Sequence, residues 1–195
     1  MREETIAPDR MIAFTDGVFA VIVTVMVLQL KTPEQPAFPA LWGLWPTIIS
    51  YAVSYLFVLI IWLNNHHLMR FVDHLAPGLI WINFVHLFLV SFLPFATAWV
   101  AGTRLASSPV VLYAGLFVCV DLVYNVFEYQ VLGRADPARV SARMRRMARN
   151  RSLLVLAGFT AAMLVALVAP RIGFGLICAA LIPHSQPEPH RFISR

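Results

Sequence analysis

Charged residues are scarce in this chain. Only 13% of its 195 residues are Asp, Glu, Lys or Arg, whereas 59% are hydrophobic. A soluble domain needs a polar face on its helices or strands, and here whole helical turns carry no polar residue, so a soluble fold is excluded. The apolar residues form blocks of about 18 to 25, the length that spans ~30 Å of hydrocarbon. The sequence therefore predicts a polytopic membrane protein.

Cysteine and strand signals are scarce as well. Cys119 and Cys178 are the only two cysteines, and both lie inside apolar segments. A disulfide framework is therefore not expected, and both thiols are predicted to pack as small apolar groups. The weak alternation that is typical of an outer-membrane barrel does not occur. The expected fold class is all-α.

Hydropathy and helix breakers predict six transmembrane helices, one repeat per chain, near 10–30, 44–68, 76–101, 109–132, 151–169 and 172–185. The last is short, because residues 172–183 would rise only ~18 Å as a helix. It therefore tilts, continues into the polar tail or falls short of spanning. We expect one six-helix transmembrane domain over 1–185 and a polar cytoplasmic tail over 186–195.

The basic residues predict that both termini are cytoplasmic. Cationic residues in short loops are retained inside the cell. With the N-terminus inside, twelve of the fifteen basic residues lie inside, against Lys31, Arg104 and Arg171 outside. Five spans would place the basic tail outside and explain this bias less well. The basic run 134–151 indicates such retention, with some contact to anionic lipid. A nucleic-acid site is not expected, because no aromatic or base-reading pattern accompanies the run.

Several polar residues lie inside the predicted helices, where an ionisable side chain costs roughly 2.5 to 3.5 kcal/mol and needs a partner or a water-filled cavity. They form four groups, one on each of the first four helices: Arg10 with Asp16; Trp62, Asn65, His66 and His67; Asn83 with His86; and Asp121, Asn125 and Glu128. The group on the fourth helix forms a stripe, which indicates either a helix or subunit contact or an ion relay.

The start of the first helix, the end of the second and Asn83 share one depth. We therefore expect a buried polar network in which Arg10 and Asp16 meet the imidazoles and amides of helices 2 and 3 and fix the first helix. A metal site is not expected. His66 and His67 are adjacent and point about 100° apart on a helix, and neither has a carboxylate four residues later.

A small, mildly polar stripe runs along the first helix. Gly17, Val21, Thr24 and Leu28 fall within an arc of about 60° on an ideal helix. One interpretation is a packing seam of small residues, with the Thr24 hydroxyl bonded back to the Ala20 carbonyl. The other is a pore face, in which Val21 and Leu28 form apolar constrictions and Thr24 offers an oxygen between them. Periodicity alone leaves both open.

The segment RMIAFTDG, residues 10 to 17, resembles the Arg-x-x-x-Phe-Ser-Asp motif that opens the first helix in the endosomal and lysosomal potassium channel family and its prokaryotic relatives. Arg10, Phe14 and Asp16 match outright, and Thr15 replaces the usual Ser. WLNNHH on the second helix and NFVHLFLVSFLPFATA on the third are also similar. These motifs lie in the first half of the chain, and beyond them only the helix count supports the resemblance.

The resemblance implies a potassium channel without the TVGYG filter, a motif that this sequence also lacks. It implies a homotetramer, as in prokaryotic members with one repeat, whose four first helices surround the axis. Val21 then takes the constriction position, Thr24 the threonine ring and Leu28 the next apolar ring. Val21 is shorter than the usual Ile or Leu, which implies a wider neck. The three matching motif residues then serve structure and gating through helices 2 and 3.

We therefore expect a cation channel of a prokaryotic inner membrane that weakly favours potassium over sodium. Its partners are the bilayer, the permeant ions and further copies of the chain, and no cofactor is expected. The alternative is an ion-coupled secondary transporter that uses Asp121 and Glu128. It is less favoured because inverted repeats and interrupted helices, which are typical of transporters, are not found. An enzyme is not expected, because no catalytic spacing occurs.

Overall fold

The computed structural model describes residues 8–33, 35–72 and 75–184, and all regular structure in these ranges is helical. A 3₁₀ helix, Phe38–Leu44, precedes the second α-helix. The α-helices are α1 (Pro8–Leu28), α2 (Trp45–Met69), α3 (Pro77–Val90), α4 (Leu93–Gly102), α5 (Ser107–Arg134), α6 (Ala142–Ala166) and α7 (Pro170–His184). Because α3 and α4 together form the third predicted segment, the six-segment all-α prediction is confirmed. The predicted polar tail, 186–195, lies outside the described residues.

Four helical stretches of the described chain are long and apolar enough to cross a membrane: Pro8–Leu28, Phe38–Met69, Pro77–Gly102 and Ser107–Arg134. The sixth predicted segment corresponds to α7, which is apolar but only 15 residues long. At ~1.5 Å per residue such a helix rises only ~22 Å, so it does not cross ~30 Å of hydrocarbon by itself.

The third segment was predicted as one helix over 76–101, and this prediction is wrong. The helix breaks at Ser91 and Phe92, between α3 and α4. The physical reason is Pro94, which has no N–H to donate to the Val90 carbonyl and whose ring crowds that carbonyl. The Ser91 hydroxyl donates to the Phe88 carbonyl (2.6 Å) just before the break, and α4 then begins at Leu93.

The predicted start of the fifth segment at residue 151 is also wrong, because α6 begins at Ala142. Ser141 caps this helix by accepting a hydrogen bond from the Met144 N–H (3.3 Å). Met144 and Ala148 are buried one helical turn apart, so the basic run has an apolar face that packs on the rest of the chain. Five arginines of the run, from Arg143 to Arg151, therefore lie on α6, whereas Arg139 lies in the loop before it.

Aromatic side chains join α2, α5 and α6 in the main core. Phe57 stacks on Phe117 with 3.8 Å between ring centroids, and Phe159 meets Phe117 edge-on at 5.2 Å. All three are fully buried. The helices α6 and α7 pack tightly at Gly173, where an added Cβ would lie 2.7 Å from the Cβ of Ala166. This close approach requires glycine.

Candidate pore helix and its polar anchor

The helix α1 packs against the chain with one face only. Its buried residues recur every three or four positions: Met11, Thr15, Phe19, Ile22 and Met26. Only 28% of the residues in the most apolar 18-residue stretch of α1 are buried, against 44% in each of the other three candidate spans. An apolar helix that its own chain covers so little must be covered by lipid or by another chain.

The predicted stripe lies on the uncovered face of α1. Val21 is 60% exposed and Leu28 is 81% exposed, and Gly17 and Thr24 are exposed as well. The Thr24 hydroxyl donates to the carbonyl of Val21 (2.7 Å), and not to that of Ala20 as the packing interpretation expected. The stripe is therefore turned away from the bundle of its own chain.

Asp16 binds α2 through an indole and not through an imidazole. The Nε1–H of Trp62 donates to Asp16 Oδ1 over 2.7 Å. The Trp62 ring in turn stacks on His66, with ring centroids 5.8 Å apart. His66 Nε2 lies 3.5 Å from Arg70 Nη2 at the end of the same helix. Asp16 is thus held by Trp62, whose ring is oriented by His66 on the same helix.

A second contact joins α1 to α2 and α3. Asn65 Nδ2 donates to Asn83 Oδ1 (3.2 Å), and Asn83 Nδ2 donates to the hydroxyl of Thr15 (2.9 Å). All three side chains are buried, and Asn83 is fully inaccessible. In a low-dielectric setting such a satisfied chain of hydrogen bonds fixes the rotation of each helix. The sequence indicated Asn83 and Asn65, but it did not indicate Thr15 as their partner.

The structure does not bring Arg10 into this network. Its side chain is exposed and makes no hydrogen bond or ion pair with any part of the chain that the structure describes. Phe14 is 55% exposed and meets Phe84 of α3 edge-on, with ring centroids 5.8 Å apart. His67 is half-buried, and its ring centroid lies 6.3 Å from that of His66. Within the predicted group, Asp16 accepts a hydrogen bond from α2, and Asn83 donates one to α1.

The polar stripe on α5 has partners within its own chain: Glu128 binds residues of α6, and Asp121 and Asn125 bind each other within α5. Asn125 Nδ2 donates to Asp121 Oδ2 (3.1 Å), and the Ser152 hydroxyl donates to Glu128 Oε2 (2.7 Å). Arg151 Nη2 lies 3.8 Å from Glu128 Oε1. Among residues 8–33, 35–72 and 75–184, no group of three or more His, Cys, Asp or Glu is arranged to hold a metal ion.

Sequence analysis missed a buried hydroxyl cluster that joins α2, α4 and α5. Ser54 Oγ lies 2.6 Å from Thr97 Oγ1 and 2.5 Å from the Tyr113 hydroxyl. Thr97 also donates to the carbonyl of Leu93 (2.6 Å). Hydroxyl groups carry no charge and lower the hydropathy of a segment only slightly, so the apolar runs concealed them. Their signal was three hydroxyl residues within otherwise apolar helices.

Residues 10–94 match the model of a family described as the endosomal/lysosomal potassium channel TMEM175. This stretch runs from the first turn of α1 to the start of α4 and contains Asp16, Trp62, Asn65 and Asn83. The match covers a little less than half of the chain, and over it the chain is similar to this family. The predicted resemblance is confirmed. The description of that family names a channel, in agreement with the sequence prediction.

Three bacterial proteins, each named a potassium channel, are similar to the chain. That of Chryseobacterium sp. (strain P1-3) is 35% identical over 123 residues, which cover 63% of this chain and 64% of that protein. That of Chamaesiphon minutus is 33% identical over 128 residues, covering 60% and 62%. That of Streptomyces collinus is 29% identical over 160 residues, covering 77% and 78%. The chain thus spans a little less than two thirds of the first two relatives.

The fold is also that of a solved TMEM175 structure. The crystal structure of a lysosomal potassium-selective channel TMEM175 homolog from Chamaesiphon minutus superposes with a TM-score of 0.79 at 24% sequence identity. The superposition covers 90% of this chain and 95% of that one. The shared architecture therefore extends well beyond the residues that match the family model.

Proposed function

We propose that the chain is one subunit of a homotetrameric potassium channel in a prokaryotic inner membrane, with four copies of α1 around the pore. The observation that carries this proposal is the two-sided character of α1. One face is fixed to α2 and α3 by hydrogen bonds, whereas the face with Val21, Thr24 and Leu28 is left open. The potassium channels named among its relatives support the ion.

The open face has the chemistry of a pore wall. Rings of Val21 and Leu28 would form apolar necks, which resist ions because narrow apolar passages lose water. Thr24 lies between them and already donates its proton to the Val21 carbonyl. Its hydroxyl oxygen keeps lone-pair acceptor capacity, so a ring of four would replace part of the hydration shell of a cation. This arrangement favours potassium over sodium only weakly, because it offers fewer oxygens than a carbonyl filter.

The fixed face has the chemistry of an anchor. A pore lined by side chains of one helix keeps its radius only if that helix keeps its rotation, since one residue turns the face by about 100°. The bonds from Trp62 to Asp16 and from Asn83 to Thr15 act on adjacent positions of α1. We assign them the role of setting the angle at which Val21 and Thr24 meet the axis.

A transporter is the weaker candidate. Glu128 is engaged by Ser152 and Arg151 of the same chain, and Asp121 accepts from Asn125. The contacts of Glu128 belong to the packing between α5 and α6, and that of Asp121 lies within α5. The third segment is interrupted, contrary to expectation, but its break carries the Ser91 hydroxyl bond to the Phe88 carbonyl and no carboxylate. The carboxylates and the interruption therefore lie on different helices.

The test is ion flux through the purified chain in liposomes. A potassium gradient alone, with equal pH and equal sodium on both sides, should generate a membrane potential that a voltage-sensitive dye reports. The potential should follow the imposed potassium ratio and be smaller for an equal sodium gradient. Protein-free liposomes are the control. A flux that starts only when a proton or sodium gradient is added would contradict a channel and favour the transporter.

A further inference from the structure

A cavity of about 890 Å³ lies between the end of α5 and the start of α6. Its α6 wall contains Arg145, Arg146 and Arg149, and its α5 wall contains Tyr129 and Gly133. Arg146 and Arg149 follow Arg145 by one and four residues, so the three arginines lie on one side of α6. The proposed channel function does not use this cavity.

The arginines are arranged as an anion site. Arg145 Nη2 donates to the Ala135 carbonyl (3.0 Å), which fixes its side chain, and its Nε is buried without a partner among the described residues. Arg146 and Arg149 are exposed and make no hydrogen bond or ion pair within the described ranges. Three guanidinium groups on one wall, two of them uncommitted, suit a phosphate group because guanidinium donors match its oxygens.

The carboxylate in the cavity does not oppose this assignment. Glu128 also lines it, but one of its oxygens accepts from the Ser152 hydroxyl, and Arg151 lies 3.8 Å from the other. Its negative charge is therefore offset by a fourth arginine. The other three arginines that line the cavity have no second carboxylate among its lining residues to offset them.

The cavity lies where hydrocarbon gives way to polar groups. The apolar helix α5 ends at Arg134, and the apolar part of α6 begins at Leu153, which lines the cavity with Val126 and Leu132. The cavity wall is thus apolar on the side of the apolar parts of α5 and α6, and basic on the side where α5 ends and α6 begins. This is the sequence of environments that a phospholipid presents, from acyl chain to phosphate.

We propose that this cavity binds one anionic phospholipid, with its phosphate on Arg145, Arg146 and Arg149 and an acyl chain along Val126 and Leu153. Soluble phosphate shares the charge but has nothing to place against the apolar wall. The proposal does not depend on which ion the chain conducts, since it concerns the outer surface of α5 and α6 and not the face of α1.

The test measures lipid retained by the full chain after purification from a detergent mixture of phosphatidylglycerol and phosphatidylcholine. The wild-type chain should retain phosphatidylglycerol preferentially. Each basic residue near a membrane surface contributes enough that Arg146→Gln or Arg149→Gln should lower the preference roughly fivefold. Arg143→Gln removes the same charge from an exposed position outside the cavity wall and should leave the preference unchanged. If Arg143→Gln and Arg146→Gln lowered the preference for phosphatidylglycerol equally, general surface charge and not this cavity would retain the lipid.

A second variant tests the cavity itself. Gly133 borders it, and an added Cβ there meets no heavy atom within 4 Å, so Gly133→Leu fills space without changing charge or forcing the backbone. It should lower phosphatidylglycerol retention while leaving the protein folded. Excess inorganic phosphate should not release the lipid. Full retention in Gly133→Leu, or release by phosphate, would overturn the proposal, the latter in favour of a soluble-phosphate site.

Discussion

The indole N–H of Trp62 and the carboxylate of Asp16 meet at 2.7 Å across 46 residues of sequence. This bond joins α1, the least buried of the four candidate spans, to α2. Because the ring of His66 stacks on Trp62, the donor is held in place before the carboxylate binds it. The side-chain hydrogen bonds that couple α1 to α2 and α3 therefore lie in the first half of α1, at Thr15 and Asp16.

Removing the indole donor should weaken this coupling. Trp62→Phe keeps an aromatic ring beside His66 but leaves Asp16 Oδ1 without its donor. Hydrogen bonds to charged groups contribute about 1.5–3 kcal/mol, so we expect a lower melting temperature of the detergent-purified protein by size-exclusion fluorescence. Trp99→Phe is the matched control, because the Trp99 indole makes no hydrogen bond with the described residues. Equal melting of Trp62→Phe and Trp99→Phe would remove Asp16 from the anchor.

The buried chain of Asn65, Asn83 and Thr15 predicts a contrast between two similar variants. Thr15→Val has nearly the same shape as threonine but leaves Asn83 Nδ2 buried without an acceptor. An unsatisfied buried donor costs about 1–3 kcal/mol. Thr15→Ser keeps the hydroxyl and should melt like the wild type, whereas Thr15→Val should melt at a lower temperature. If the two variants melt together, the hydroxyl is not what holds α1 to α3.

The open face of α1 predicts changes in ion selectivity. Val21→Asn should wet the apolar neck and raise the flux of both potassium and sodium, whereas Thr24→Val should lower the potassium preference by removing the ring of oxygens. Reversal potentials under potassium and sodium measure both effects. Met26 is buried against its own chain, so Met26→Leu should change little. A well-assembled Thr24→Val protein with unchanged selectivity would show that Thr24 only packs.

The distribution of basic residues predicts which loops face the cytoplasm. Ala138 and Lys31 are both exposed and lie in loops at opposite ends of the predicted topology. After Cys119 and Cys178 are replaced, Lys31→Cys should react with an impermeant maleimide in intact cells, and Ala138→Cys should react only after lysis. Labelling of Ala138→Cys in intact cells would reverse the orientation.

The segments were predictable because the length of an apolar run is a direct consequence of bilayer thickness. The break at Ser91 and Phe92 was not, because Pro94 lies inside an apolar run and hydropathy does not register one lost backbone hydrogen bond. The start of α6 was missed for a different reason. Its arginines read as a polar loop, although Met144 and Ala148 already mark an apolar face at helical spacing.

The site was predictable in position more than in partners. The order and lengths of the apolar segments placed the start of helix 1 and the end of helix 2 at one depth. They do not give the direction in which a side chain points. Thr15 and Asp16 are adjacent and therefore point about 100° apart, so one binds Asn83 and the other Trp62. Arg10 lies in the first turn of α1, and its long side chain reaches outward, where the charge stays hydrated.

The interruption of the third segment has a consequence for how the protein is made. At ~1.5 Å per residue, α3 and α4 would rise only ~21 Å and ~15 Å, and neither alone crosses ~30 Å of hydrocarbon. The translocation machinery must therefore release both into the membrane as one unit, with the bend already inside the lipid. Neither half is a membrane segment in its own right. Backbone groups at the bend must then find partners within the protein, because lipid offers none.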